Sequence, residues 1–293
     1  SFFQDYYLYT EDREFLAKRC VPLFKGIAAF YEDFLSETDK AGHVIFIPSY
    51  NPETGCGTNA TMDIAVTREV LRNLLAAPEE LRTTGGASVV TAEQIHQWQT
   101  LLSKLPPYPI DDRGQLAEWP GGGVSPGHRH HSMLYPCFQS FDPIFETTPA
   151  LWRAAQATVR AKIAGSDGGG EQSSFGRVQS GVSAAFLRMT EEAYGRLKVM
   201  AVERSMYPSL ITSHEPNADI YNTDGNGGIP QIVNTMLAFS QPGRLDLLPA
   251  LPAEWPQGEI RGILARGQVT INCLAWDKPA AKLTLELTSG KAQ

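Results

Sequence analysis

The sequence predicts a mainly α-helical protein, an α/α toroid or part of one, followed by a small antiparallel β module. Three observations carry this. Up to Ser240, long stretches place apolar side chains at helical spacing. The loops between them bear carboxylates beside Pro, Gly, Asn or Trp. From Pro242 the pattern changes to short segments ending in the period-two run Leu283, Leu285, Leu287. The expected division is residues 1–241, a partial helical barrel, and 242–293, a β-sandwich-like module.

The elements follow in order. Phe2 to Tyr9 is aromatic and helix-like. Asp12 to Leu35 is a helix with Phe15, Leu16, Val21, Phe24, Ile27 and Phe34 at helical spacing, Pro22 as a first-turn or kink residue, and Gly42 as its stop. Val44 to Ile47 is extended. Asp63 to Leu75 is amphipathic. Thr91 to Leu105 opens on a capping box, with Gln94 three residues after Thr91. Pro149 to Ile163 is helical, Gly165 to Gly170 a flexible turn, and Ser180 to Val202 one long helix. A Gly/Asn loop over 222–228 precedes a last helix, Ile229 to Ser240. No sequence repeat is found.

A chain of 293 residues can bury a large core, and 42% hydrophobic with 19% charged residues is ordinary for a globular protein. The net charge of −7 and the lack of basic clusters argue against a nucleic-acid partner. A neutral, hydroxyl-rich ligand fits this charge better. No apolar run reaches the roughly 18 residues that span a bilayer. Cys20, Cys56, Cys137 and Cys273 make no C-x-x-C pair and read as buried thiols. Ser1 opens without Met, cap or leader and reads as an interior point of a longer natural protein.

Four loop segments carry chemistry. In Pro48-Ser49-Tyr50-Asn51-Pro52-Glu53 a carboxylate stands on a stiffened backbone, a mount suited to a general acid. In Gly114-Gln115-Leu116-Ala117-Glu118-Trp119 an indole offers a flat wall for a sugar face, beside amide and carboxylate partners for hydroxyls. In His128-Arg129-His130-His131, Arg129 and His130 are candidate substrate donors, His131 is expected at the surface, and no second ligand pair supports a metal. Asp224 and Asn226 lie in Asp-Gly-Asn-Gly-Gly, which lacks the acidic positions of a calcium loop and the lysine of a P-loop. Alone, the Glu53 and Asp224 segments also read as ordinary turns, and Glu118-Trp119 as a buried Trp beside a partnered Glu. Paired carboxylates about an aromatic pocket are the machinery of glycosidic cleavage.

Taken in order, the segments resemble glycoside hydrolase family 95, the fucosidases with a P-S-x-S-P-E-N loop, a G-Q-L-Q-E-W loop, an H-R-H-x-S-x-L-Y run and a D-G-N-F-G loop. Thr61-Met62-Asp63 and the tail Leu248-Pro249-Ala250-Leu251-Pro252 match as well. The resemblance implies an (α/α)6 barrel followed by a β domain, no cofactor, a secreted or periplasmic parent protein, and inverting hydrolysis of terminal α-L-fucosides. It makes Glu53 the general acid, so that Glu53 must carry a proton near neutral pH. That calls for partial burial or a neighbouring carboxylate. It makes Asp224 a polariser of water through an asparagine, with Asn51, Glu118, Trp119, Arg129, His130 and Asn226 binding the sugar. An inverting pair stands about 6.5–9.5 Å apart or somewhat more, facing one cavity. Asn51 stands where the family has Ser, Thr54 where it has Asn, Ala117 for Gln and Gly227 for Phe, which extends the substrate range to a related α-L-galactoside. The family's Asn-x-Asn pair is absent from this chain. The partner is therefore an oligosaccharide, together with an upstream segment or partner chain that completes the barrel along an apolar flank of 12–35 and 180–202. The alternative is a carbohydrate-binding remnant without turnover.

Overall fold

The computed structural model describes residues 2–81, 90–202 and 205–290. The outer ends of the two expected domains, Ser1 and residues 291–293, lie outside the described residues. The chain is mainly helical, with small antiparallel sheets toward its C-terminus. It falls into two compact units. One comprises Ser1–Tyr7, Glu11–Ser125 and Ser132–Thr158, the other Leu8–Thr10, Pro126–His131 and Val159–Gln293.

α1 (Phe2–Thr10), whose last three residues count with the second unit, leads in the first unit to α2 (Arg13–Phe15), a π-helical turn (Leu16–Cys20) and α3 (Val21–Phe34). The wide turn has a local cause. Pro22 has no N–H to give to the preceding turn, and the Val21 N–H reaches back to the Leu16 carbonyl instead. A two-stranded hairpin, β1 (Ser49–Asn51) and β2 (Gly55–Gly57), precedes α4 (Thr61–Leu81). α4 runs six residues past the expected end at Leu75 and holds Pro78 inside, with Ala77 and Leu81 buried beyond the predicted stop. α5 (Ala92–Ser103) has the full capping box: Thr91 Oγ1 accepts from the Gln94 N–H, and Gln94 Oε1 accepts from the Thr91 N–H. α3 packs on α4 and α4 on α5 over a core of Phe24, Phe46, Ile64, Leu71 and Leu74, each at most 2% exposed. The buried Asp142 carboxylate accepts from Arg72 at 2.7 Å and from the Tyr108 hydroxyl at 3.0 Å, tying Tyr108 and Asp142 to α4. Short helices α6 (Tyr135–Phe138) and α7 (Ile144–Thr147) lead into α8 (Pro149–Asp167).

In the second unit, α9 (Ser174–Phe186) packs against both α10 (Thr190–Val202) and α11 (Thr223–Leu237). The single helix expected over 180–202 is two helices. Arg188 takes the left-handed region at φ 58°, ending α9 after Phe186. Nearly all of α9 is buried, so 180–202 is not an open apolar flank; Val202, at 78% exposed, is the large apolar residue at its outer end. On 12–35 an exposed apolar face does exist, with Leu23 at 41% and Phe30 at 58% exposed.

α11 starts six residues before the expected Ile229. Residues 223–228, read as a loop, are its first turns. The Asn222 side chain caps it, accepting from the Gly225 N–H at 2.7 Å. The glycines are there for close packing: a Cβ on Gly225 would lie 2.7 Å from Thr212 Oγ1, and one on Gly228 2.1 Å from Val178 Cγ1.

α11 runs directly into β3 (Ala238–Gln241), which pairs with β4 (Arg244–Leu247). A four-stranded antiparallel sheet follows. β7 (Val269–Asp277) pairs along its length with β8 (Lys282–Ser289) and, in successive parts, with β6 (Ile263–Ala265) and β5 (Gln257–Ile260). Ile271, Leu274 and Trp276 form the module's core with Leu237 and Ile263. The predicted alternation in β8 is real, yet its leucines stay exposed, Leu283 at 51% and Leu287 at 47%. Among the described residues no helix is long and apolar enough to cross a membrane.

Of the four thiols expected to be buried, Cys20, Cys137 and Cys273 are. Cys56 is exposed because it pairs with Tyr50 on the outward face of the β1–β2 hairpin. Burial, with the Asp12 charge, pushes the Cys20 thiol up to about 11.

Candidate active site

The first unit brings together Asn51, Glu53, Glu118 and Trp119. Glu53 stands at the tip of the β1–β2 hairpin with φ 59°, a strained value for a residue with a Cβ. The turn is closed by the Thr54 N–H donating to the Asn51 carbonyl at 3.1 Å. Glu53 is exposed, so the partial burial expected of it is not found. The cause is its position: the two strands bury Asn51 and Ser49 on the inner face and carry the turn outward.

Beneath the hairpin lies a buried polar network. Asn51, 1% exposed, donates from Nδ2 to Glu118 Oε2 at 2.7 Å and to Thr54 Oγ1. Its Oδ1 accepts from the Ser132 hydroxyl. Glu118 is also 1% exposed, and its Oε1 accepts from the Ser125 N–H at 3.1 Å. Asn51 and Glu118, expected as sugar ligands, are thus buried and bonded to each other. Asn51 and Thr54, the two departures from the family loop, touch: amide and hydroxyl have traded places across Glu53.

Trp119 is half-buried against glycines. A Cβ on Gly57 would come within 3.1 Å of the indole, and one on Gly122 within 2.3 Å of Nε1. Gly55 and Gly57, legible in the sequence only as turn residues, make the seat of this ring. A cleft of about 370 Å³ opens on the same loop, lined by Asp111, Asp112, Arg113 and Gly121 to Gly123; none of the predicted site residues lines it.

The second unit holds Arg129, His130, Asp224 and Asn226. The segment 126–131 is laid close on α8 and α9; a Cβ on Gly165 would strike Pro126 at 2.4 Å, and one on Gly176 the Arg129 carbonyl oxygen at 2.7 Å. Gly165 lies inside α8, and the turn expected from 165 begins at Gly168. The Arg129 guanidinium and backbone N–H both donate to Glu171 Oε2, each at 3.0 Å. Partial burial works to raise the Glu171 carboxyl, but these hydrogen bonds and the Arg129 charge hold it below the usual carboxylate range. The His128 and His130 rings stack at 5.2 Å, and His130 meets Phe175 edge-on at 5.2 Å. His128 Nδ1 accepts from the His130 N–H at 3.2 Å, placing the proton of a neutral His128 on Nε2. Lys162, fully buried, donates to the His128 carbonyl at 2.6 Å.

His131, expected at the surface, is 4% exposed, because its N–H is drawn to Gln179 Oε1 of the buried helix α9 at 3.0 Å. Burial, then the charges of Lys162, His130, His128 and Arg196, push its ring well below the usual histidine range. Among the described residues no group of three or more His, Cys, Asp or Glu is placed to hold a metal.

Asp224 is exposed in the first turn of α11, where the helix dipole favours a negative charge. Its Oδ2 accepts from Asn222 Nδ2 at 3.2 Å, and the same Nδ2 lies 3.3 Å from His214 Nδ1. The Asn222 side-chain oxygen Oδ1 is taken by the helix cap. Asn226 holds the preceding loop rather than facing outward: its Oδ1 accepts from the Thr212 N–H at 2.9 Å, and its Nδ2 donates to the Leu210 carbonyl at 2.9 Å. Sequence reasoning missed Asn222, Glu171 and Lys162. Only Asn222, three residues before Gly225 as a cap should be, left a usable signal.

Residues 2–237 match the family model described as Glycosyl hydrolase family 95 catalytic domain, and residues 239–293 that described as Glycoside hydrolase family 95, C-terminal domain. The chain belongs to glycoside hydrolase family 95. It is also similar to the Alpha-L-fucosidase 2 of Arabidopsis thaliana, at 32% identity over 293 positions, which cover 92% of this chain and 32% of the relative. The chain thus spans about a third of that relative's length. Within this glycosidase family, the residues of the hairpin, the Trp119 loop, the Arg129 segment and the α11 start are the candidates for substrate chemistry.

Proposed function

We propose that this chain carries the acid-bearing part of an inverting α-L-fucosidase or closely related α-L-galactosidase. Glu53 donates its proton to the departing glycosidic oxygen as the C–O bond breaks. A water attacks the anomeric carbon from the opposite face, and Asp224 helps take its proton through an asparagine supplied by a further segment. Trp119 provides the apolar wall, and Arg129 and His130 meet sugar hydroxyls. Asn51, Glu118 and Asn226 serve by holding the loops. The observation that carries this reading is the placement of Glu53 on an outward-pointing hairpin tip whose base is a bonded polar network, in a chain of this family. Exposure suits an acid that meets its substrate in a covered site only when the rest of the barrel is present.

A second reading, a carbohydrate-binding remnant, is favoured for the chain by itself by that same exposure and by the missing asparagine pair. The deciding experiment uses the parent protein with its upstream segment. Glu53→Gln should cost orders of magnitude in kcat on a fucosyl oligosaccharide and far less on an activated aryl fucoside, which needs little protonation. Equal losses on both would make Glu53 structural. Proton NMR of the first-formed sugar should show the inverted anomer. Turnover by the 293-residue chain alone would show that no further segment is needed.

A further inference from the structure

The geometry points to Asn51 as a positioning residue for Glu53 and not as a ligand of the sugar. The left-handed backbone of Glu53 is strained for a residue with a Cβ and persists only where its surroundings enforce it. Two bonds bracket it. The Thr54 N–H donates to the Asn51 carbonyl at 3.1 Å, and Asn51 Nδ2 donates to the Thr54 hydroxyl. The Asn51 amide is itself held in one orientation. Its second Nδ2 hydrogen goes to Glu118 Oε2 at 2.7 Å, and its Oδ1 takes the Ser132 proton. Flipping the amide would turn Oδ1 toward the Glu118 carboxylate and leave two acceptors facing each other. Glu118 is fixed in turn: its N–H donates to the Gly123 carbonyl at 2.8 Å, and its carbonyl accepts from the Thr61 N–H at 2.9 Å. A rigid path therefore runs from the start of α4 and the Trp119 loop, through one buried amide, to the turn that aims Glu53. At 1% exposure Asn51 has no surface for a sugar hydroxyl.

The catalytic consequence rests on Glu53 being the acid, but the positioning itself is tested without activity. In the 293-residue chain labelled with 13C at glutamate carboxyls, the Glu53 signal is assigned by its loss in Glu53→Gln. Thr54→Ser, which keeps the hydroxyl, should leave that signal in place. Thr54→Val, which keeps the shape and loses the acceptor, and Asn51→Ala should each move it by more than its line width or split it. Thr54→Val touches only a half-buried position and keeps the test valid if Asn51→Ala fails to fold. An unmoved Glu53 signal in Thr54→Val would overturn the proposal and leave Asn51 a packing residue. In the parent enzyme, Thr54→Val should lower kcat about tenfold on poor leaving groups with KM kept. A moved signal in a parent that never turns over fucosides would sink the hydrolase reading and leave the positioning standing.

Discussion

Gly122→Ala should dislodge the Trp119 ring and destabilise the first unit. The new Cβ would lie 2.3 Å from the indole Nε1 and 2.4 Å from Cε2. Ordinary contact needs about 3.5 Å, so the ring must retreat by roughly 1 Å. Gly57 already lies against the same ring, and a Cβ there would be 3.1 Å from Cγ, so retreat meets the β1–β2 hairpin. Gly122 carries no left-handed backbone, so the cost is steric and not conformational. Overpacking of this kind costs about 1–3 kcal/mol. In a unit of this size each kcal/mol lowers Tm by about 2–4 °C. Calorimetry measures the stability, and 19F NMR with fluorotryptophan, assigned by Trp119→Phe, measures the ring. Gly195→Ala is the control: it lies in α10 with nothing within 4 Å of the new Cβ, and should gain about 0.4–1 kcal/mol. If Gly122→Ala kept both the Tm and the Trp119 line of the parent chain, the glycine seat would be no constraint and the reasoning would fail.

Three further outcomes are expected. His131 is held below its usual range, so the unfolded chain binds its proton first and stability falls as pH drops through about 6.5, by at most ~1.4 kcal/mol per pH unit; urea unfolding from pH 7.5 to 5 should show this slope, and His131→Gln should flatten it. Arg196 is 4% exposed and bonds Asp167 through both terminal nitrogens at 2.9 and 2.7 Å, so Asp167→Asn should cost roughly 1–3 kcal/mol by denaturant melts, with no loss pointing to compensation by solvent. Asn222→Ala removes the α11 cap and the Asp224 contact, and should cost about 1 kcal/mol while Asn222→Asp, which still caps, costs less; equal losses would deny the cap its role.

The sequence by itself determined the features whose causes are local. The capping box at Thr91 and Gln94 needs only four residues in a row. The period-two tail specifies strands whatever they pack on. The linked loop motifs specify the family, because their order survives without any knowledge of shape. What tertiary structure decided was what depends on neighbours far along the chain. Residues 223–228 read as a loop by propensity, yet they form the first turns of α11: Asn222 caps it, and Gly225 and Gly228 let it lie close against Thr212 and Val178. The 180–202 segment reads as one helix, yet it turns at Arg188 so that α9 can be buried against both α10 and α11. Asn51 and Glu118 read as sugar ligands by chemical type. Sixty-seven residues apart, they meet in the interior and bond to each other. His131 looks no different from its neighbours in the run, and only the pull of Gln179 takes it inside. A side chain's chemistry is written in the sequence, but what it faces is a long-range contact, and that contact decides whether the chemistry points at a substrate or at the fold.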